Sequence, residues 1–251
     1  MTMSSFLLND NEASRMLRDI LQLTSHPVAV KLVKVEDSLE RLPPEPRKRL
    51  RYCQGLMEAR RGQSLTLTKE TLSCPAAAAA FGFSPLPDKI KKGEMLKSLG
   101  LFESEEAAAN LMKQMPRLKQ GAYKAVSLAP LEGGSFMPDV TVIEDDPEKI
   151  MWINLASIHD TGDRISFSSS IFQACCVDVT VIPFLTGKVN ACFGCYGCRE
   201  ATNLKDEEGL VGIPFEKLEE IVRALQALSI KAMPSVRKKG VYNLFIKSLT
   251  S

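Results

Sequence analysis

Two stretches of this chain share a layout that limits how it can fold. "RYCQGLMEARRGQSLTLTKETLSCPAAA" begins at Arg51, and "QACCVDVTVIPFLTGKVNACFGCYGC" begins at Gln173. Each places a cysteine near the start of a predicted helix. Each helix runs into a glycine turn, at Gly62 and Gly187, and a short strand and a second cysteine at a chain reversal follow. Cys53 to Cys74 is 21 positions and Cys176 to Cys195 is 19. A repeated helix–turn–strand–Cys unit explains both. Two such units packed about a pseudo-twofold bring four thiols together, a number that suits tetrahedral zinc or a cubane iron–sulfur cluster.

The flanking segments supply the other elements. Residues 11–23 carry Met16, Leu17, Ile20 and Leu21 at helical spacing, and "VAVKLVKV" (28–35) reads as a strand. Residues 47–62 read as a helix ending at Gly62, and 73–83 as a helix capped by Ser73 or Cys74 with Pro75 in its first turn. Residues 104–115 form a helix capped by Ser104. Residues 121–131 and 139–144 read as neighbouring strands, 146–160 as a helix capped by Asp146, and 164–169 as a strand. Residues 170–187 read as a helix up to Pro183, against the β-branched run Val177, Val179, Thr180 and Val181. Short strands at 188–194 and 209–214 and an amphipathic helix at 215–228 follow. There is no βαβ rhythm and no glycine-rich phosphate loop. The expected fold is α+β: a single domain over 1–251, built from two similar α/β halves (24–118 and 119–230) sharing one core, with a basic tail at 231–251.

Composition narrows the function. A net charge of +2 and 6% aromatic residues argue against nucleic acid as a partner. No apolar run approaches the roughly 20 residues that cross a bilayer, and the N-terminus lacks the pattern of a signal peptide. The expected setting is the reducing cytoplasm, away from membranes. There, seven cysteines read as packed thiols, a reactive thiol or metal ligands, not as a disulfide framework.

Cys195-Tyr-Gly-Cys198 is a C-x-x-C whose glycines, Gly194 and Gly197, favour a tight knuckle over a helix start. Cys192 sits on the preceding strand as an inward apolar residue. Cys175 and Cys176, adjacent on a helix, point about 100° apart, so only one faces a shared site. The leading ligand set is therefore Cys53, Cys74, Cys176 and Cys195, with Cys198 as an alternate.

"PVAVKL", "RYCQGLMEARRG", "SCPAAAAAFGF", "APLEGGSFMPDVTVI", "CVDVTVIPFLTGKVN" and "GCYGCRE", in that order over roughly residues 26–228, resemble the bacterial and archaeal family classed as domain of unknown function 169. The resemblance implies a shared fold, cysteines at the positions of Cys53, Cys74, Cys176 and Cys195, and a position matching Cys198 that is often serine. It implies no activity.

Arg47, Lys48, Arg49 and Arg51 precede Cys53 and read as a solvated helix face or as a cationic field that lowers a thiolate pKa. Arg199 and Tyr196 are the expected contacts to a bound molecule. Cys74, at a helix N-terminus, is the best single candidate for a reactive thiol. The acidic run Glu144, Asp145, Asp146 and Glu148 reads as a helix cap, and His26 and His159 sit at no catalytic spacing from a cysteine. The leading expectation is a cytoplasmic iron–sulfur or other metal-binding protein, with zinc as the alternative metal and a redox or ligand-binding role. Its partner would be a small molecule or a redox protein, and a homodimer stays open. The alternatives are a structural-zinc or metal-free binding module, and a thiol enzyme using Cys74 or Cys195.

Overall fold

The computed structural model describes residues 9–134, 136–170 and 172–233. The basic tail therefore lies almost wholly outside the described residues. A six-stranded antiparallel sheet organises the chain, in the order β2-β3-β1-β4-β6-β5. The strands are β1 (Val28–Lys34), β2 (Leu65–Thr68), β3 (Tyr123–Pro130), β4 (Val140–Asp145), β5 (Asn190–Cys192) and β6 (Gly209–Pro214). The expected α+β class is what forms. β3 and β4, expected side by side, are separated by β1, which pairs with both. Residues 164–169 form no strand.

Period-two alternation decides the packing. Val28, Val30, Val140, Val142 and Leu210 face one layer, while Ala29, Ile143, Val211 and Ile213 face the other. The expected single core is therefore two cores, one on each face of a shared sheet. Helices α1 (Asp10–Leu21), α7 (Pro147–Ser157) and α10 (Phe215–Lys231) cover the second face. The first face carries α2 (Tyr52–Ala59), α3 (Pro75–Ala80), α4 (Asp88–Lys91), α5 (Glu94–Ser98) and α6 (Glu105–Lys113). It also carries a π-helix (Ala174–Val181) that runs into α8 (Ile182–Thr186), and α9 (Tyr196–Ala201) follows β5. Asn9, Ser104 and Asp146 cap α1, α6 and α7 with side-chain oxygens, as their residue types favour. Among the described residues no helix is long and apolar enough to cross a membrane.

The strand order reads the same from either end when β2-β3-β1 is matched with β5-β6-β4. Registers match too. Val28 opens β1 opposite Pro130, and Val140 opens β4 opposite Pro214. The edge strands start two residues before those prolines, Leu65 opposite Leu128 and Asn190 opposite Gly212. In each triplet a cysteine-bearing helix leads into the edge strand, and a second cysteine caps the next short helix. The first triplet includes β3, so it extends past the boundary expected at residue 118.

The π-helix explains why residues 170–187 give mixed signals. Its amides bond five residues back, as Asp178 to Gln173 (3.3 Å) and Ile182 to Val177. The Thr180 hydroxyl, which can donate to the Cys175 carbonyl (2.8 Å), also lies 2.9 Å from the Tyr52 hydroxyl and so ties the π-helix to α2. Pro183 does not end this run. It sits early in α8, and the Asp178 carbonyl five residues back accepts from Asn190 Nδ2 instead (2.8 Å). The π-helix lies directly on β6 because Gly212 has no side chain: a Cβ there would stand 2.1 Å from the Val179 carbonyl oxygen.

Candidate functional site

Six of the seven cysteines line one cavity of about 380 Å³ on the first face of the sheet. Cys53 comes from the first turn of α2. That helix starts at Tyr52, not at residue 47, because Leu50 first bridges to Leu72. Cys74 is the N-cap of α3 with Pro75 behind it, as expected. Cys175 and Cys176 come from the π-helix, and Cys195 and Cys198 from the start of α9. Ile90, Leu96, Leu99 and Met112 from the α4–α6 segment close the opposite wall with Phe172. All seven cysteines are free thiols.

The four cysteines singled out from the sequence thus meet, together with two more. The expectation that only one of Cys175 and Cys176 faces the site is overturned, since both line it. The reason is the π-helix, whose wider turn does not obey α-helical spacing. Cys192 is buried in β5 and lies outside this cavity, as expected of an inward strand residue. Among the described residues no three His, Cys, Asp or Glu side chains are placed to hold a single metal ion.

The C-x-x-C also differs from expectation. Gly194, at φ 86°, makes the turn, but Gly197 lies inside α9, so the motif opens a helix after a strand. Cys195 is the N-cap, with the Cys198 amide donating to its Sγ (3.3 Å) and the Cys195 amide donating to Cys198 Sγ (2.9 Å). Thiol hydrogen bonds from Cys175 and Cys195 hold Cys198 down at about 3, with the Arg199 charge helping, while Cys195 and Cys175 are pushed up as the donors. Burial, with the charges of Cys198 and Cys74, pushes Cys53 up to about 12. Burial, with Cys74 and Cys53, raises Cys176. Of these thiols Cys198 is the one shifted downward, and its Sγ also lies 3.2 Å from the Cys195 carbonyl, where it can donate.

Tyr196 lines the cavity and is half exposed at its mouth. Arg199 does not line it. Its guanidinium donates to the carbonyls of Phe193 (2.6 Å), Lys205 (2.8 Å) and Glu208 (2.8 Å), so it clasps the loop around α9 instead of clamping an anion. In the basic run, Arg49 bonds the Leu72 carbonyl, and Arg51 lines the cavity and bonds the Gly197 carbonyl.

Two features escape sequence reading. Gln173 precedes the π-helix in the left-handed region (φ 55°), uncommon for glutamine, and lines the cavity with its Oε1 buried and unpartnered. Glu144 is no helix cap. Asp146 caps α7, while Glu144 is buried at the end of β4 and accepts from Arg60 Nη1 (3.1 Å). Arg60 also holds Glu208 through both terminal nitrogens (2.6 and 3.2 Å). Burial pushes Glu144 up to about 7 against the pull of Arg60. The signal was there: Val140, Val142 and Glu144 alternate, so Glu144 follows the valines toward the cysteine face.

The family described as DUF169, uncharacterised ArCR, matches residues 16–224. An uncharacterised protein of Methanocaldococcus jannaschii is 29% identical over 217 residues, which cover 86% of this chain and 93% of that protein. No solved structure matches the chain. A match over so much of its length means that the chain belongs to the DUF169 family.

Proposed function

We propose that this chain is a cytoplasmic iron–sulfur protein that holds a cluster through Cys53, Cys74, Cys176 and Cys195, for electron transfer or for binding a small molecule beside it. The observation that carries this is the pairing of positions. Cys53 and Cys176 start matching helices, Cys74 and Cys195 cap matching short helices, and all four reach one cavity from the two matched strand triplets. The same correspondence supports an internal duplication. Thiols spread around a cavity suit a cluster better than one ion, which needs every sulfur about 2.3 Å away. A cluster supplies one-electron chemistry when bound. The protein's part is to exclude water with the α4–α6 wall and to leave Tyr196 at an approach from solvent.

A second reading has its own observation, the Cys195 and Cys198 sulfurs held together at a helix start by each other's amides, with Cys198 shifted downward. There, Cys198 sulfur attacks a partner's disulfide and releases one partner thiolate. Cys195, giving up its proton, then displaces the other, leaving a Cys195–Cys198 disulfide and a reduced partner.

Anaerobic purification and reconstitution, with iron, sulfide and visible absorption measured, tests the first reading. Stoichiometric iron and sulfide, lost in Cys53→Ser, Cys74→Ser, Cys176→Ser and Cys195→Ser, is the expected result. Absence of both, with reversible formation of a Cys195–Cys198 disulfide, overturns it in favour of the second.

A further inference from the structure

The geometry points to a second binding site, for a small phosphoryl oxyanion, in the cleft between the end of α2, the α1–β1 loop and the α9–β6 loop. It stands apart from the cysteine cavity and does not depend on what that cavity holds. The cleft has a volume of about 600 Å³ and is walled by Arg18, His26, Arg60, Arg61 and Lys205, with Thr24 and Ser25 adding hydroxyls. No carboxylate lines it.

The charge there is incompletely answered. Arg60 is committed to Glu144 and Glu208, and Arg18 Nη1 reaches Glu132 at 3.3 Å. The Arg61 and Lys205 side chains make no ion pair among the described residues. Two nitrogens on the wall are buried without a hydrogen-bond partner: Arg18 Nε, which can only donate, and His26 Nδ1. Arg18 Nε is thus a donor left unmet on the wall, while His26 Nδ1 can accept in one neutral tautomer.

The cleft is also built rather than incidental. The His26 amide donates to the Arg60 carbonyl (3.0 Å), which fixes the α1–β1 loop on α2. Glu208 takes the Lys205 amide (2.9 Å) as well as Arg60, which fixes the α9–β6 loop against the same helix. Arg61, from the end of α2, and Lys205, from the α9–β6 loop, are the wall cations without a carboxylate partner, and together they match the several oxygens of a phosphoryl group better than a single carboxylate.

Isothermal titration of the full chain with inorganic phosphate and with pyrophosphate, using malonate as the carboxylate control, tests this. Saturable binding of pyrophosphate that weakens with salt is expected. Arg61→Gln and Lys205→Gln, at exposed side chains, should each weaken it on the order of tenfold while melting like the parent. In the unmutated protein, pyrophosphate should also protect Lys205 from acetylation, read by peptide mass. Failure of phosphate and pyrophosphate to bind, equal binding of malonate, or undiminished affinity in both variants overturns the site.

Discussion

Replacing Arg60 by methionine should destabilise the fold in a pH-dependent way. Methionine keeps an unbranched apolar stem and removes the charge that two buried carboxylates share. Glu144 stands at about 7 in the folded protein against 4.5 for an ordinary glutamate, a difference worth about 3 kcal/mol. The sign follows from that upward shift: the group costs nothing below its unfolded pKa, and stability falls as pH rises through the folded value. Arg60 now holds Glu144 down, so its loss moves the folded pKa still higher and extends the penalty to higher pH. Glu208 is shifted the other way, downward by its bonds to Arg60, so its contribution is present above its unfolded pKa and is lost with Arg60. At about pH 5.5 Glu144 is protonated in both folded proteins, and the cost falls on Glu208 alone. At about pH 8 the Glu144 share adds at least about 1 kcal/mol, for a total of about 3–5 kcal/mol. Urea unfolding followed by circular dichroism at both pH values measures this. Equal losses at the two values, or a loss below about 1 kcal/mol at the higher one, would refute the coupling of Glu144 to Arg60.

Gly212→Ala should cost at least about 3 kcal/mol, because its Cβ meets the Val179 backbone at 2.1 Å, whereas Gly197→Ala, with open space on α9, should gain about 0.5–1 kcal/mol in a thermal melt. Cys192→Ser, outside the cavity, should keep its iron and sulfide on reconstitution, and loss of both would move the proposed centre toward β5. Chelation should leave the protein folded with a cooperative thermal transition, since two apolar cores hold the sheet without a metal. Melting on chelation would make the metal structural.

Much was legible in the sequence because the signals are local. Caps at Ser104 and Asp146, the Val–Lys alternation in β1 and the helical spacing of α1 and α10 each depend on a few adjacent residues. Cys53, Cys74, Cys176 and Cys195, singled out by their matched spacing, all line one cavity, each pair flanking an edge strand of the sheet.

What tertiary structure decided turns on long-range contact. The place of β1 between β3 and β4 is a choice among pairings that alternation alone cannot rank. The π-helix depends on Gly212 in a distant strand and on Tyr52 across the core, so no local pattern announces it, yet it brings Cys175 and Cys176 to the same wall. Cys195 meets Cys198 within a local C-x-x-C, but Cys175, the first cause of the downward shift of Cys198, reaches it only through the fold, and Arg199 is held beside it by a clasp around three carbonyls. The amino acids thus specify which thiols are available, and the long-range contacts of the fold determine which of them meet in one cavity.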